Sequence, residues 1–121
     1  MSKYRLGEVE SRFAKIIWRE EPVSSPELVK ICLKELNWKK STTYTVLRKL
    51  CQRGIFKNEN TIVSAVLTED EYNSRAGQEF LEENFNGSLP SFIAAFSSNK
   101  KISPDEIKEI KRLIDEYEIK N

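Results

Sequence analysis

Residues Trp38 to Gly54 read WKKSTTYTVLRKLCQRG, two lysines, then three hydroxyls, then an apolar period, with no acid anywhere in the run. At about 100° per residue, Thr43, Val46, Leu47 and Leu50 gather on one side of a helix. Ser41, Thr45, Arg48 and Gln52 line the other side, flanked by Thr42, Tyr44 and Lys49. Ser41 is the expected N-cap and Gly54 the left-handed stop.

Upstream, Val9, Phe13, Ile16 and Ile17 recur at helical spacing from Glu8 to Arg19, with Trp18 beside them and Pro22 closing the segment. A second helix follows to about Leu36, with Ser25 as N-cap, Pro26 at the first helical position and Leu28, Val29, Cys32 and Leu36 as its stripe. Downstream, "IFKN" and "TIVSAVLT" are short branched and aromatic runs joined by the turn-forming "NENT". Three helices followed by a hairpin give the order of a winged helix-turn-helix.

Beyond the hairpin, Thr68 caps a helix expected to reach Phe85, stopped by Asn86 and Gly87. Ser88 opens a second and Ser103 with Pro104 a third, all three amphipathic. The fold class expected is mainly α with a small β-hairpin: a winged-helix DNA-binding domain over residues 1–70 and a helical dimerisation domain over 71–121.

Charge divides the same way. Residues 1–68 hold 13 Lys/Arg against 7 Asp/Glu, and residues 69–121 hold 7 against 12, so a balance of +6 precedes one of −5. Six basic residues and no acid lie between Lys39 and Lys57, which marks a phosphate-binding surface. The chain has no histidine and only two cysteines, Cys32 and Cys51, both inside helical patterns. That argues against a disulfide framework, a metal site and the usual catalytic triads; no catalytic residue, metal or cofactor is expected. No apolar run is long enough to span a bilayer and "MSKYRLGEVE" lacks a signal-peptide core, so a cytoplasmic protein without direct membrane insertion is expected.

In the functional reading, the third helix enters the major groove of double-stranded DNA. Lys39 and Lys40 clamp the backbone, Ser41, Thr42 and Thr45 offer hydroxyls and methyls to base edges, and Tyr44 meets a phosphate or sugar. Arg48 is suited to a bidentate guanine or phosphate contact, and Lys49 adds charge. An ordinary solvated helix face also carries Lys, Arg and Thr; the missing acids and the hairpin that follows favour DNA.

The later helices present Phe80, Leu81, Phe85, Leu89, Phe92, Ile93, Phe96, Ile107, Ile110, Leu113, Ile114 and Tyr117. Their aromatics suit a homodimer interface or a ligand pocket, and helical spacing favours the interface. The rival readings are a winged-helix repressor relieved by a small ligand, and a winged-helix protein-interaction module that does not bind DNA.

An ordered set of motifs resembles the penicillinase repressor family, the β-lactamase and methicillin-resistance (BlaI/MecI-type) repressors with the related copper-transport repressors. Glu10 with "IIW" at Ile16 to Trp18 resembles the family's first helix. Trp38, Thr42, Thr45, Leu47, Lys49 and Leu50 fall on its W-x(3)-T-x(2)-T-x-L-x-R-L signature, with Lys49 for arginine. "RG" at Arg53 and Gly54, "EDEY" from Glu69, "FL" at Phe80, "NGS" from Asn86 and "ISPDEIKEIKRLI" from Ile102 continue in order.

The resemblance implies a homodimeric repressor on a palindromic operator upstream of β-lactamase-type resistance genes. It also implies a membrane sensor and protease pathway that cuts the dimerisation region, with the scissile bond near Ala95 and Phe96. Ala95 stands where the β-lactam branch has asparagine, and the "EYEIKN" ending lacks the C-x-C pairs of the copper branch. The wing "NENT" carries no Lys or Arg, and Ser41 stands where many relatives have lysine.

Overall fold

The computed structural model describes residues 4–120. In chain order it forms α1 (Glu8–Glu20), β1 (Val23–Ser24), α2 (Ser25–Leu36), α3 (Lys40–Gln52), β2 (Phe56–Glu59), β3 (Ile62–Ala65), α4 (Glu69–Phe85), α5 (Leu89–Asn99) and α6 (Pro104–Lys120). The chain separates into two compact units, one ending at Phe80 and the next beginning at Leu81.

The first unit is a winged helix. Phe13 and Ile17 of α1, Leu28 and Cys32 of α2, and Leu47 and Leu50 of α3 close over Ile55, Phe56 and Val63 to make one core. Val9, placed by its spacing on the same stripe, is instead half exposed one turn before Phe13. The wing is a three-stranded antiparallel sheet in the order β1-β3-β2, one strand more than the hairpin expected. Val23 pairs with Val63 and Ser24 with Ile62. Two residues are too few to carry an alternating pattern, so β1 leaves no periodic trace in the sequence.

The hairpin turns through Asn60 and Thr61, both in the left-handed region at φ 52° and 64°, between the paired Glu59 and Ile62. Two positive-φ residues match the twist of the flanking strands, as in a type I′ turn. A β-branched residue rarely adopts that conformation. Thr61 is held there by its carbonyl, which accepts from the Ser25 backbone N–H at 2.7 Å.

Three helix starts distinguish neighbouring hydroxyls. Ser24, not Ser25, caps α2: its Oγ accepts from the Glu27 N–H at 3.2 Å, while Ser25 is buried inside the first turn. Lys39, not Ser41, is the N-cap of α3, and no side chain caps it, so Ser41 lies exposed within the first turn. Thr68 caps α4 as expected, in a reciprocal capping box with Glu71.

The division between the units falls within α4, between Phe80 and Leu81. The start of α4 belongs to the first unit because Tyr72 packs on Trp18 at 5.4 Å between ring centroids, and Trp18 Nε1 donates to the Leu67 carbonyl at 2.9 Å.

In the second unit, Asn86 and Gly87 end α4 at positive φ, 50° and 77°, and Ser88 caps α5 by accepting from the Ser91 N–H at 3.1 Å. No residue of α5 or α6 is buried. Phe92 packs edge-on against Phe85 at 5.5 Å and tilted against Phe96 at 6.0 Å. An open groove of about 240 Å³ runs between α5 and α6, lined by Leu89, Phe92, Ile93, Phe96, Ile102, Glu106 and Ile110. Of the aromatics expected to line a ligand pocket, Phe92 and Phe96 border this groove and Phe80, Phe85 and Tyr117 do not.

Candidate nucleic-acid interface

Both ends of α3 are fixed by local geometry. At its start, Asn37 adopts φ 56° and ends α2, its N–H donating to the Leu33 carbonyl at 3.1 Å, and the Trp38 N–H follows to Cys32 at 3.3 Å. The Trp38 ring then lies on Phe13 at 5.2 Å, which pins the entry of the chain into α3. At its end, the Gly54 N–H reaches the Cys51 carbonyl at 3.0 Å and the Ile55 N–H reaches Leu50 at 3.1 Å. This is a Schellman motif with glycine at φ +78°, sealed by the contact position pair Leu50 and Ile55, both fully buried.

The inner face is Thr43, Leu47 and Leu50. Thr43 Oγ1 is buried without a hydrogen-bond partner among the described residues, and Cys32 is its neighbour. Burial pushes the Cys32 thiol up to about 11. Burial also raises Cys51. Neither sulfur is an available thiolate near neutral pH.

Seven of the eight expected DNA-contact residues are exposed together on the outer face: Lys39, Lys40, Ser41, Thr42, Thr45, Arg48 and Lys49. Tyr44 departs from them. It is half-buried against the core, and its hydroxyl donates to Ser25 Oγ at 3.3 Å, so it braces α3 on α2. Thr45 Oγ1 donates back to the Ser41 carbonyl at 2.9 Å, which leaves its methyl as the group free to meet an apolar partner.

Lys39, Lys40, Arg48 and Lys49 make no ion pair among the described residues. Three cations elsewhere in the unit are paired: Arg19 with Glu35 at 2.6 Å, Lys15 with Glu69 at 2.7 Å, and Arg53 with Glu10 at 3.8 Å. The outer face of α3 is thus a strip of positive charge with no carboxylate to neutralise it.

One polar residue beside this strip went unnoticed in the sequence. Asn58 of β2 joins Tyr44, Leu47, Arg48 and Cys51 in lining a groove of about 220 Å³ between helix and wing. Nothing in the alternation of the strand singles it out; only its placement across from Arg48 does.

The sequence model of the family described as "Penicillinase repressor" matches residues 6–116, a span that takes in both units. The chain belongs to the penicillinase repressor family. It is 24% identical over 117 residues to the penicillinase repressor of Bacillus licheniformis, covering 93% of this chain and 91% of the relative. It is 26% identical over 105 residues to the penicillinase repressor of Staphylococcus aureus, at 84% and 83% coverage. With the methicillin resistance regulatory protein MecI of Mammaliicoccus sciuri it shares 21% identity over 115 residues, at 92% and 94% coverage. The repressor is accordingly a DNA-binding transcriptional regulator, not an enzyme. No helix among its described residues is long and apolar enough to cross a membrane.

Proposed function

We propose that this repressor binds a palindromic operator upstream of β-lactamase-type resistance genes as a homodimer. The strip on α3 carries the proposal: four unpaired cations and three exposed hydroxyl residues on a helix held rigidly at both ends. Lys39, Lys40 and Lys49 supply phosphate contacts, and Arg48 is long enough to reach a guanine edge. Ser41, Thr42 and the Thr45 methyl meet the remaining base edges, while Tyr44 keeps α3 seated on α2. Supporting the dimer, the second unit leaves Leu89, Phe96, Leu113 and Ile114 between 42% and 53% exposed, a face that a second copy would cover. The names of the relatives support the resistance genes as targets.

Relief by proteolysis between Ala95 and Phe96 is part of the same proposal. Both residues are exposed on α5, and no residue of that helix is buried, so local opening to the extended form a protease needs is inexpensive. A second reading, relief by a small apolar ligand, draws on the 240 Å³ groove between α5 and α6.

Fluorescence anisotropy of purified repressor on the DNA upstream of its own gene, with a scrambled duplex as control, tests the proposal across salt concentrations. Two chains per palindrome with a steep salt slope is the expected result; equal, weak binding to both duplexes refutes it. Uncleaved repressor after induction would favour the ligand reading.

A further inference from the structure

We infer that Ser25 is a positioning residue for operator reading: through Tyr44, its hydroxyl fixes the roll of α3 that aims Arg48 at a base pair. The inference rests on the reading of α3 as the DNA-contacting helix, and it lies within the first unit alone.

Ser25 opens α2 and is only 3% exposed. Its polar groups face the two elements that flank the basic strip. The backbone N–H donates to the Thr61 carbonyl in the wing turn at 2.7 Å, and Oγ accepts from the Tyr44 hydroxyl of α3 at 3.3 Å. Ser24 beside it is held as well, paired with Ile62 of β3 and capping α2 through the Glu27 N–H at 3.2 Å. The hydroxyl that meets Tyr44 is therefore tied to the wing as much as to α2, and it does not follow α3 when that helix turns about its axis.

Roll is the motion this bond opposes. Leu47 and Leu50 seat the inner face of α3 by apolar burial, which is non-directional. A hydrogen bond at the edge of that face is directional. Tyr44 and Arg48 stand one turn apart and, with Asn58 of β2, border the same groove of about 220 Å³. Holding the first fixes the ridge from which the second extends.

A helix with its side chains is about 10–12 Å across, so a roll of about 10° carries its outer edge by about 1 Å. The favourable N–H···O range is only about 0.5 Å wide, and a bidentate guanine contact must meet it twice. Attraction between a lysine and a phosphate falls off gradually with distance instead. Loss of the Ser25 hydroxyl should thus relax base discrimination at Arg48 and leave the phosphate contacts in place.

The test uses the full chain on the operator mapped by anisotropy. Arg48→Ala first locates the base pair: it is the G·C pair whose replacement by A·T weakens wild-type binding and no longer weakens binding of this variant. Ser25→Ala, Tyr44→Phe and the double variant are then titrated against the operator and the replaced operator, at a temperature where circular dichroism shows each as folded as wild type. Wild type should prefer the G·C pair by about tenfold or more. Each single variant should fall to about threefold or less and the double no further, because all three delete the same bond. The salt slope should keep its wild-type value, since no cation is removed.

Retained discrimination in Ser25→Ala and Tyr44→Phe overturns the inference and leaves the operator reading intact. Loss in Tyr44→Phe alone overturns it by assigning that hydroxyl to the DNA, and losses that add in the double variant overturn it by giving the two residues separate roles. An Arg48→Ala protein that keeps every base preference leaves Ser25 nothing to aim and overturns it too. Equal, weak binding of wild type to operator and scrambled duplex refutes the operator reading itself, and the inference with it.

Discussion

Replacing Lys40 with alanine removes one of four exposed cations that α3 leaves without an ion pair. Each phosphate neutralised on duplex DNA contributes about 0.9 to the slope of log affinity against log salt. Four such cations on each of two chains set a ceiling of about −7 for the slope α3 can supply. Lys40→Ala deletes one cation per chain, so the slope should shallow by about 1.8, and the Lys39→Ala/Lys40→Ala pair should shallow it by about 3.6. Lys15→Ala is the control, because that amine is held by Glu69 at 2.7 Å and lies on α1. Anisotropy titrations between about 50 and 200 mM salt read the slope directly. An unchanged slope in the double variant, with operator affinity retained, would refute the assignment of this face to DNA. A loss of about 0.9 rather than 1.8 for Lys40→Ala would mean that one chain meets the operator, and the two-chain arithmetic would fail.

Three further outcomes follow from particular residues. Thr43→Val removes a buried hydroxyl that lacks a partner and keeps the shape of the side chain, so urea unfolding at fixed protein concentration should show a gain of about 1 kcal/mol with the salt slope unchanged. A loss instead would mean that the hydroxyl is bonded. Thr61→Gly relieves a left-handed conformation costing about 1–2 kcal/mol, less the ~0.5–1 kcal/mol of extra freedom glycine has when unfolded, for a net gain of about 0.5–1 kcal/mol. Hydrogen bonding to Arg19 holds the Glu35 carboxyl below its ordinary range; a depressed folded value contributes stability above the unfolded value of about 4.3 and loses it as pH falls through the folded one. Arg19→Ala should therefore flatten the acid limb of the urea midpoint against pH, and an unaltered limb would remove this pair from the explanation.

The core and α3 were legible because their signals are local and periodic. Leu47 and Leu50 repeat at helical spacing, and Gly54 must be glycine-like where the chain turns left-handed after Arg53. The N-caps were less so: "SS" at Ser24 and Ser25 and "KKST" at the start of α3 each offer neighbouring residues of similar competence, and the choice falls to the backbone conformation that packing imposes. Tyr44 illustrates the same limit in a side chain. Helical phase put it at the edge of the polar strip, and an amphipathic ring at an edge can turn either way; the Ser25 hydroxyl on a different helix is what captures it. The contacts of Tyr4 were invisible for a stronger reason: they join it to Tyr72, Arg75 and Glu79, 68 to 75 positions away, and no window of the sequence contains both ends.

The second unit offers a physical reason why the proposed single cut would relieve repression. Its helices lack a buried residue, and on α6 Ile107, Leu113, Ile114 and Tyr117 are 40% to 68% exposed. Short helices with bare apolar faces are marginal in water, so in the proposed dimer the free energy that folds this unit is the free energy of association. Operator affinity then depends on chain concentration and on the integrity of every helix in the interface. A break between Ala95 and Phe96 leaves seven residues of α5 on one side and four on the other, both too short to persist as helix. The groove formed by Leu89, Phe92, Ile93 and Phe96 against α6 would lose one wall, while the first unit, with its own core, stays folded. Two intact DNA-reading units would remain without the linkage that makes their weak separate contacts tight, and the operator would be vacated without any change at α3.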